Sequence, residues 1–121
     1  FKGIINRTLN FMIKKGCTPK NITAVIGPCI SVKSYEVKKD FIKKLIKKDG
    51  KNKKFFKKIQ NKDFFDLKKY VLSQLKALNI KKIDIINKNT FNPKNNFFSA
   101  RRSISRNEND YGRNISVIMI N

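Results

Sequence analysis

The 121 residues contain no histidine, and they include only 2 cysteines and 8 acidic residues. Without histidine, a serine or cysteine nucleophile would need Lys or Asp as its base. Cys17 and Cys29 form neither a CxxC pair nor a disulfide framework, and two thiols without a carboxylate cluster do not make a zinc site. We expect both thiols to be buried apolar groups in a reducing, cytoplasmic compartment. The acidic residues are scattered, which argues against a glycosidase pair.

Glycine and long apolar runs are also scarce. The 5 glycines form no phosphate loop of the P-loop or dinucleotide type. No apolar run approaches the roughly 18 residues that a membrane span needs. The first methionine, Met12, lies inside an apolar-periodic segment, so we expect the sequence to begin partway through a longer gene product.

The positive charge is large, with a formal net charge of +21, and it comes mostly from 24 Lys rather than from the 5 Arg. Neutralisation of phosphates makes such a chain a candidate for nucleic-acid binding. However, 15 Asn and 17 Ile accompany the lysines, and AT-rich coding produces this whole set together. A selected nucleic-acid surface would more often use arginine. We therefore favour coding bias, and keep a basic nucleic-acid-binding protein as the rival hypothesis.

Apolar residues recur at helical spacing in three segments: 1–15, 37–50 and 67–78. Gly16 suits the left-handed position after the first helix, and Asn79 the same position after the third. Asp66 is a plausible N-cap for the third helix.

Strands are predicted in four segments: 22–27, 81–87, "FFSARR" at 97–102, and 114–120. Residues 34–37 are expected to be a short extended segment, and residues 51–63 a loop with a short helix. This order of elements predicts an α/β domain, with a mixed sheet and flanking helices.

Four of the five arginines lie between Phe97 and Asn121, and among them we single out Arg101, Arg102 and Arg113. Successive side chains of a strand point to opposite faces, so Arg101 and Arg102 would diverge. A guanidinium is a rigid fork of donors that suits phosphate or carboxylate. Anion binding is one interpretation, and an ion pair with an acidic residue (Asp66 or Asp84) or a loop-bracing role is the other.

Several motifs in order resemble a known family: "AVIGPCISVKSYEV", "FFDL", a leucine-periodic helix, "NTFN", "FFSARR" and "YGR". The chain resembles the YfiH-like, or laccase-domain, family, also described as polyphenol oxidase or multicopper-oxidase-like, over essentially all of residues 1–121. The matching structural motif positions are Gly27, Pro28, Tyr35, Phe98, Ser99, Gly112 and Arg113. The sequence departs from the family's usual motifs at three places. Asn89-Thr90 stands where the family usually has "CT", Ala100 where it has an aromatic residue, and Tyr111 where it has threonine.

Members of this family are generally regarded as zinc-dependent purine nucleoside phosphorylases with adenosine deaminase side activity. The resemblance implies a chain about twice this long, whose metal ligands, two histidines and a cysteine, lie in the N-terminal half. "FKGIINRTL" is similar to the helix after the last of them. Residues 1–121 would then be the C-terminal part of a single YfiH-like domain. That part would hold no zinc or copper, be inactive alone, and pack against the N-terminal half through an apolar sheet face.

The resemblance implies a purine nucleoside, such as adenosine or inosine, and phosphate as substrates. Arg101 and Arg102 would hold the phosphate or another anionic group, and Arg113 would brace the loop before the last strand. The older oxidase description is a second enzyme hypothesis. A metal-free pseudoenzyme and a basic polyanion-binding protein are the alternatives outside catalysis.

Overall fold

A computed structural model describes residues 3–119. Its α-helices are α1 (Ile4–Lys14), α2 (Lys39–Lys48), α3 (Leu67–Ala77) and α4 (Ala100–Ser105). Its strands are β1 (Thr23–Ile26), β2 (Phe56–Ile59), β3 (Lys62–Phe65) and β4 (Lys82–Ile85). Short 3₁₀ helices occupy Pro19–Asn21, Val32–Ser34, Gly50–Phe55 and Pro93–Asn95. None of the helices in this part of the chain is long and apolar enough to cross a bilayer.

The three long helices lie where the apolar periodicity predicts them, and their ends follow the expected chemistry. Gly16 adopts a φ of 97° just after α1, and Asn79 a φ of 61° just after α3. Both values lie in the left-handed region that ends helices. Asp66 caps α3, because its Oδ1 accepts a 3.0 Å hydrogen bond from the Lys69 N–H.

Two separate two-stranded sheets form within residues 3–119. The strands β1 and β4 pair in parallel, from Thr23 opposite Lys82 to Ile26 opposite Ile85. The strands β2 and β3 form an antiparallel hairpin, whose two turn residues, Gln60 and Asn61, have φ values of 47° and 60°.

Positive φ at both turn positions is typical of the tight hairpin turn that matches strand twist. The short helix expected in residues 51–63 is present as a 3₁₀ helix, but the rest of that segment, expected as a loop, belongs to this hairpin. Residues 35–37 extend the hairpin, since the Val37 N–H donates to the Asp63 carbonyl at 2.8 Å.

Two buried clusters hold the fold together, and α3 contributes to both. The first cluster packs α1 and the parallel strands on α3 through Leu9, Ile22, Ile26, Leu75 and Ile80. The second packs α2 and the hairpin on α3 through Val37, Leu45, Phe55, Phe65 and Tyr70. Because α3 joins the two clusters, the domain is the mixed α/β structure that the element order predicts.

Two predicted strands are wrong. Residues 97–99 belong to no strand, and the rest of "FFSARR" begins α4. Residues 114–119 form neither strand nor helix, and Ile115 and Val117 are 89% and 82% exposed. A strand needs a neighbour for its backbone N–H and C=O groups, and the described residues provide none for this segment. Ile120, predicted as the end of that strand, lies outside the described residues.

Candidate functional site

The parallel pairing of β1 and β4 continues past both strands into the loops that follow them. The Cys29 N–H donates to the Lys88 carbonyl, and the Thr90 N–H donates to the Cys29 carbonyl, each at 3.2 Å. Strand β1 itself ends at Ile26, and beyond Gly27 and Pro28 the pairing resumes as an isolated bridge between Cys29 and Asn89. Ligands in open α/β sheets commonly bind at the carboxyl ends of parallel strands. The candidate site is therefore this carboxyl edge, with the loops 27–31 and 86–92.

Asn89 holds the two loops together, a role that was not predicted from the sequence. Its Oδ1 accepts hydrogen bonds from the Ser31 N–H at 3.1 Å and from the Phe91 N–H at 3.0 Å. Its carbonyl accepts a bond from Asn95 Nδ2 at 2.9 Å. Asparagine readily bonds the backbone two residues on, and this tendency was the available signal in "NTFN".

Helix α4 begins at Ser99, where a strand was predicted. The Ser99 Oγ accepts a 3.3 Å hydrogen bond from the Arg102 N–H, and Ser99 is buried. Serine before a run of good helix formers is a recognised N-cap signal. The helix changes the geometry of the arginines, because adjacent residues on a helix diverge by about 100° rather than pointing to opposite faces of a sheet.

Arg102 braces the loop beside the parallel strands. Its Nη1 donates to the carbonyls of Thr90 at 2.9 Å and Phe91 at 3.1 Å, and its Nη2 donates to the Phe97 carbonyl at 2.6 Å. The fork of a guanidinium suits several acceptors at once. The sequence left two alternatives to anion binding for this arginine, namely loop bracing and an ion pair. The contacts are those of loop bracing, and Arg102 forms no ion pair with Asp66 or Asp84.

Arg101 lies on another side of α4 and is exposed. Its Nη1 donates to the Glu36 carbonyl at 3.1 Å, and its Cζ lies 5.3 Å from the centre of the Tyr35 ring. Tyr35 in turn packs edge-on against Phe65 of the second buried cluster, with ring centres 5.8 Å apart. Within residues 3–119, the remaining guanidinium donors of Arg101 have no protein acceptor. Arg101 thus combines a rigid support with donors that are open to solvent.

The other C-terminal motif residues meet around Phe98. Asn114 Nδ2 donates to the Phe98 carbonyl at 2.8 Å, and Asn114 Oδ1 accepts from the Phe98 N–H at 2.9 Å. A Cβ on Gly112 would lie 2.6 Å from Phe98 Cγ, so a larger residue here would force the Phe98 ring to move. Arg113 stacks on Tyr111 at 4.0 Å and donates to the Tyr111 carbonyl, which is a local bracing contact.

Cys29 is the thiol at this carboxyl edge. Burial raises the pKa of the Cys29 thiol, the nearby Lys68 ammonium offsets part of that rise, and the Asp66 carboxylate adds to it. Cys29 is therefore a neutral thiol near pH 7 and a poor nucleophile. Lys68 Nζ donates to Asn87 Oδ1, so a cation stands at the same edge. Cys17 is exposed and Cys29 is half-buried, so the expectation that both thiols are buried is wrong for Cys17 and holds only in part for Cys29.

Metal-ligating side chains do not gather in the described part of the chain. The sequence has no histidine, and residues 3–119 hold no group of three or more His, Cys, Asp or Glu side chains that could bind a metal ion. The candidate site thus consists of loop backbone, Asn89, Lys68 and Arg102, with Arg101 at the next position of α4, and these groups suit a polar or anionic ligand.

The model of one protein family, described as multi-copper polyphenol oxidoreductase laccase, matches residues 1–121. The chain belongs to this laccase family. The resemblance seen in the order of the motifs is thereby confirmed.

Relatives of this laccase-family chain carry the name purine nucleoside phosphorylase. The protein of that name from Rickettsia prowazekii is 38% identical over 102 residues, covering 83% of the chain and 42% of the relative. The Rickettsia conorii protein is 36% identical over 121 residues, covering 95% and 49%. The Haemophilus influenzae protein is 33% identical over 119 residues, covering 96% and 46%. The chain spans about half the length of the curated relatives it matches.

Proposed function

We propose that these residues form part of a purine nucleoside phosphorylase, an enzyme that cleaves adenosine or inosine with phosphate. The observation that carries the proposal is the family match over residues 1–121, together with three relatives named as such phosphorylases at 33–38% identity. Because the chain spans about half of each relative, the activity is proposed for the longer protein, and the isolated chain is expected to be inactive.

Phosphorolysis needs a phosphate oxygen held behind the sugar carbon that carries the base. The phosphate attacks this carbon, the bond to the purine nitrogen breaks, and the purine leaves with the bonding electrons. Orientation of the nucleophile and stabilisation of charge supply much of such catalysis. In this proposal Arg101 contributes directly, since its outward donors can form charge-assisted bonds with phosphate.

Arg102 takes a different part in the proposal. Its Nη1 and Nη2 already donate to three carbonyls between Thr90 and Phe97. We therefore assign it the positioning of the loop beside the phosphate, and keep direct contact with phosphate for Arg101. This refines the expectation from the sequence, in which both arginines would hold the anion.

The described residues do not fit a zinc or copper site, so no step of the proposal passes through a metal. We place the metal ligands of the proposed enzyme in the part of the family polypeptide that residues 1–121 do not match. Adenosine deamination, as a side activity, would belong to the same longer protein.

The experiment is a kinetic comparison in the full-length protein that contains this chain. Arg101→Lys should raise KM for phosphate about tenfold or more and leave KM for the nucleoside unchanged, because a hydrogen bond to a charged group contributes about 1.5–3 kcal/mol. Arg113→Lys is the control, since Arg113 contacts Tyr111 and should leave both constants unchanged. An unaltered phosphate dependence in Arg101→Lys contradicts the proposed role.

The rival of a polyanion-binding protein predicts a different result. Binding of that kind weakens steeply as salt rises, in proportion to the number of phosphates contacted. Two results together would favour the rival. The full-length protein would bind RNA or DNA tightly at physiological salt, and it would show no phosphorolysis of purine nucleosides.

A further inference from the structure

Half of the lysines are concentrated in residues 38–62, which we call the lysine segment. It holds 12 of the 24 Lys in 25 of the 121 residues, but only 2 of the 15 Asn. AT-rich coding raises lysine and asparagine together, so it explains the composition of the whole chain but not this local excess of lysine. Seven of the twelve lysines lie outside α2, so the preference of helices for lysine does not explain the excess either.

The positive charge of the lysine segment is almost unopposed. Its twelve lysines are all exposed, and its acidic residues are Asp40 and Asp49 alone. Within residues 3–119, the one lysine of the segment that forms an ion pair is Lys62, whose Nζ lies 3.2 Å from Glu36 Oε2. Asp49 is occupied locally, since its Oδ1 accepts a 2.9 Å hydrogen bond from the Lys51 N–H. A dense and unpaired positive surface attracts polyanions.

The lysines of α2 lie on the side of the helix that faces away from the protein core. Leu45 is 1% exposed and belongs to the second buried cluster. The exposed lysines on the outer side are Lys43, Lys44, Lys47 and Lys48. They form two pairs at a spacing of four residues, which is about 6 Å along the helix axis. The following 3₁₀ helix is fixed beside α2, because Asn52 Nδ2 donates to the Leu45 carbonyl at 2.9 Å. Its lysines therefore extend the basic surface beyond the end of α2.

The apolar side chains of the lysine segment distinguish between kinds of polyanion. A helix that lies on a membrane exposes large apolar side chains beside its lysines, and single-stranded nucleic acid stacks on exposed aromatic rings. In residues 38–62, all of which the structure describes, Ile59 is the one large apolar side chain that is exposed, at 39%. Phe55 is buried and Phe56 is half-buried. The phosphates of a duplex, by contrast, are contacted by cations without help from aromatic rings.

We propose that the lysine segment binds the sugar–phosphate backbone of duplex nucleic acid without base preference, and that the outer side of α2 forms the centre of this surface. The segment contains no arginine. Lysine suits backbone contact because it acts as a point charge, whereas the planar fork of arginine serves to read bases. The inference does not rest on the proposed function. It also differs from the rival of a polyanion-binding protein, because here the binding accompanies phosphorolysis and does not replace it.

The experiment titrates the full-length protein that contains this chain into a fluorescein-labelled, mixed-sequence DNA duplex, with anisotropy measured between about 50 and 200 mM salt. An RNA duplex of the same sequence is titrated in parallel, and the tighter complex identifies which duplex the surface fits. The segment variant combines Lys43→Gln, Lys44→Gln, Lys47→Gln and Lys48→Gln. Lys62 is left unchanged, because it pairs with Glu36, whose carbonyl holds Arg101.

The control variant removes four exposed lysines outside the segment. It combines Lys14→Gln, Lys20→Gln, Lys76→Gln and Lys81→Gln. Both variants lose the same charge, and both lose two lysines from last turns of helices, where cations favour the helix dipole. Glutamine has nearly the helix propensity of lysine, so both variants should keep the fold, which circular dichroism and thermal unfolding check.

The Kd for the duplex should rise at least about tenfold in the segment variant and less than about threefold in the control variant. The slope of log K against log salt should become shallower by about 2–4 in the segment variant, because each phosphate contact contributes about 0.9. Equal effects of the two variants overturn the proposal, since the attraction would then follow net charge alone. So does tighter binding of a single strand of the same sequence. Binding to phosphatidylserine vesicles that the segment variant loses, while duplex binding is unchanged, also overturns it.

Phosphorolysis measured on the same samples separates this inference from the proposed function. Duplex binding that depends on the segment, in a protein that cleaves no purine nucleoside, supports the duplex-binding surface and counts against the phosphorylase. Cleavage of nucleoside with equal duplex binding in the two variants supports the phosphorylase and overturns the duplex-binding surface.

Discussion

The two adjacent arginines provide the sharpest test of how this site is built. Arg102→Ala and Arg101→Ala remove the same charge from neighbouring positions on one helix. Arg102 donates three bonds to carbonyls in residues 90–97, whereas Arg101 is exposed, donates one bond, to the Glu36 carbonyl, and lies over the half-buried Tyr35 ring. The two substitutions should therefore differ in their cost to stability.

The magnitudes follow from the contacts. A hydrogen bond to a charged group contributes about 1.5–3 kcal/mol. Arg102 makes three such bonds, but it is half-buried, so water can replace part of them in the variant. Arg102→Ala should therefore lower the free energy of unfolding by about 2–3 kcal/mol. A single exposed bond and an exposed cation–π contact give at most about 1 kcal/mol for Arg101→Ala. Arg102→Lys should recover only part of the loss, because an ammonium lacks the planar fork.

Urea denaturation of the three variants measures the stability difference, and hydrogen exchange at residues 89–97 locates it. We expect faster exchange there in Arg102→Ala and unchanged exchange in Arg101→Ala. If Arg101→Ala destabilises the protein as much as Arg102→Ala does, or if the 89–97 amides exchange equally in both, the loop-bracing role of Arg102 is refuted.

Three further outcomes are expected. Gly112→Ala should destabilise the protein by about 1–3 kcal/mol in thermal unfolding, because its Cβ meets the neighbouring aromatic ring, whereas Gly50→Ala, with open space around it, should change little. Phe65→Ala should lower the free energy of unfolding by about 3–5 kcal/mol, because Phe65 is 0% exposed, and Phe11→Ala, at 62% exposed, should change it by less than about 1 kcal/mol. Alkylation of Cys29 should be slow at neutral pH and rise only above the pH of an ordinary thiol, because its raised pKa keeps the thiolate scarce.

Each of these outcomes has a contrary result. Equal stability of the two glycine variants would mean that the ring moves aside at no cost. A small loss in Phe65→Ala would show that the second buried cluster collapses around the cavity. Mass spectrometry can compare the alkylation of Cys29 with that of the exposed Cys17 in the same sample. Fast alkylation of Cys29 at neutral pH would contradict its partial burial.

Local sequence alone determined the long helices, because their signals are short-range. The apolar stripe of α1, the Asp66 cap of α3 and the left-handed Asn79 depend on residues within a turn or two. The strands β1 and β4 were also found, since β-branched runs bounded by turn residues are local. The order of the motifs led to the family, which the match over residues 1–121 confirms.

Only the tertiary structure decided which backbone groups the C-terminal residues meet. Whether "FFSARR" pairs as a strand or begins a helix depends on a neighbouring edge, and Ser99 capped a helix where no such edge was present. The different tasks of Arg101 and Arg102 likewise depend on carbonyls that lie far along the chain or across a loop. Residues 114–119 have strand composition but no strand partner in the described chain, because pairing is a property of two segments and composition is a property of one.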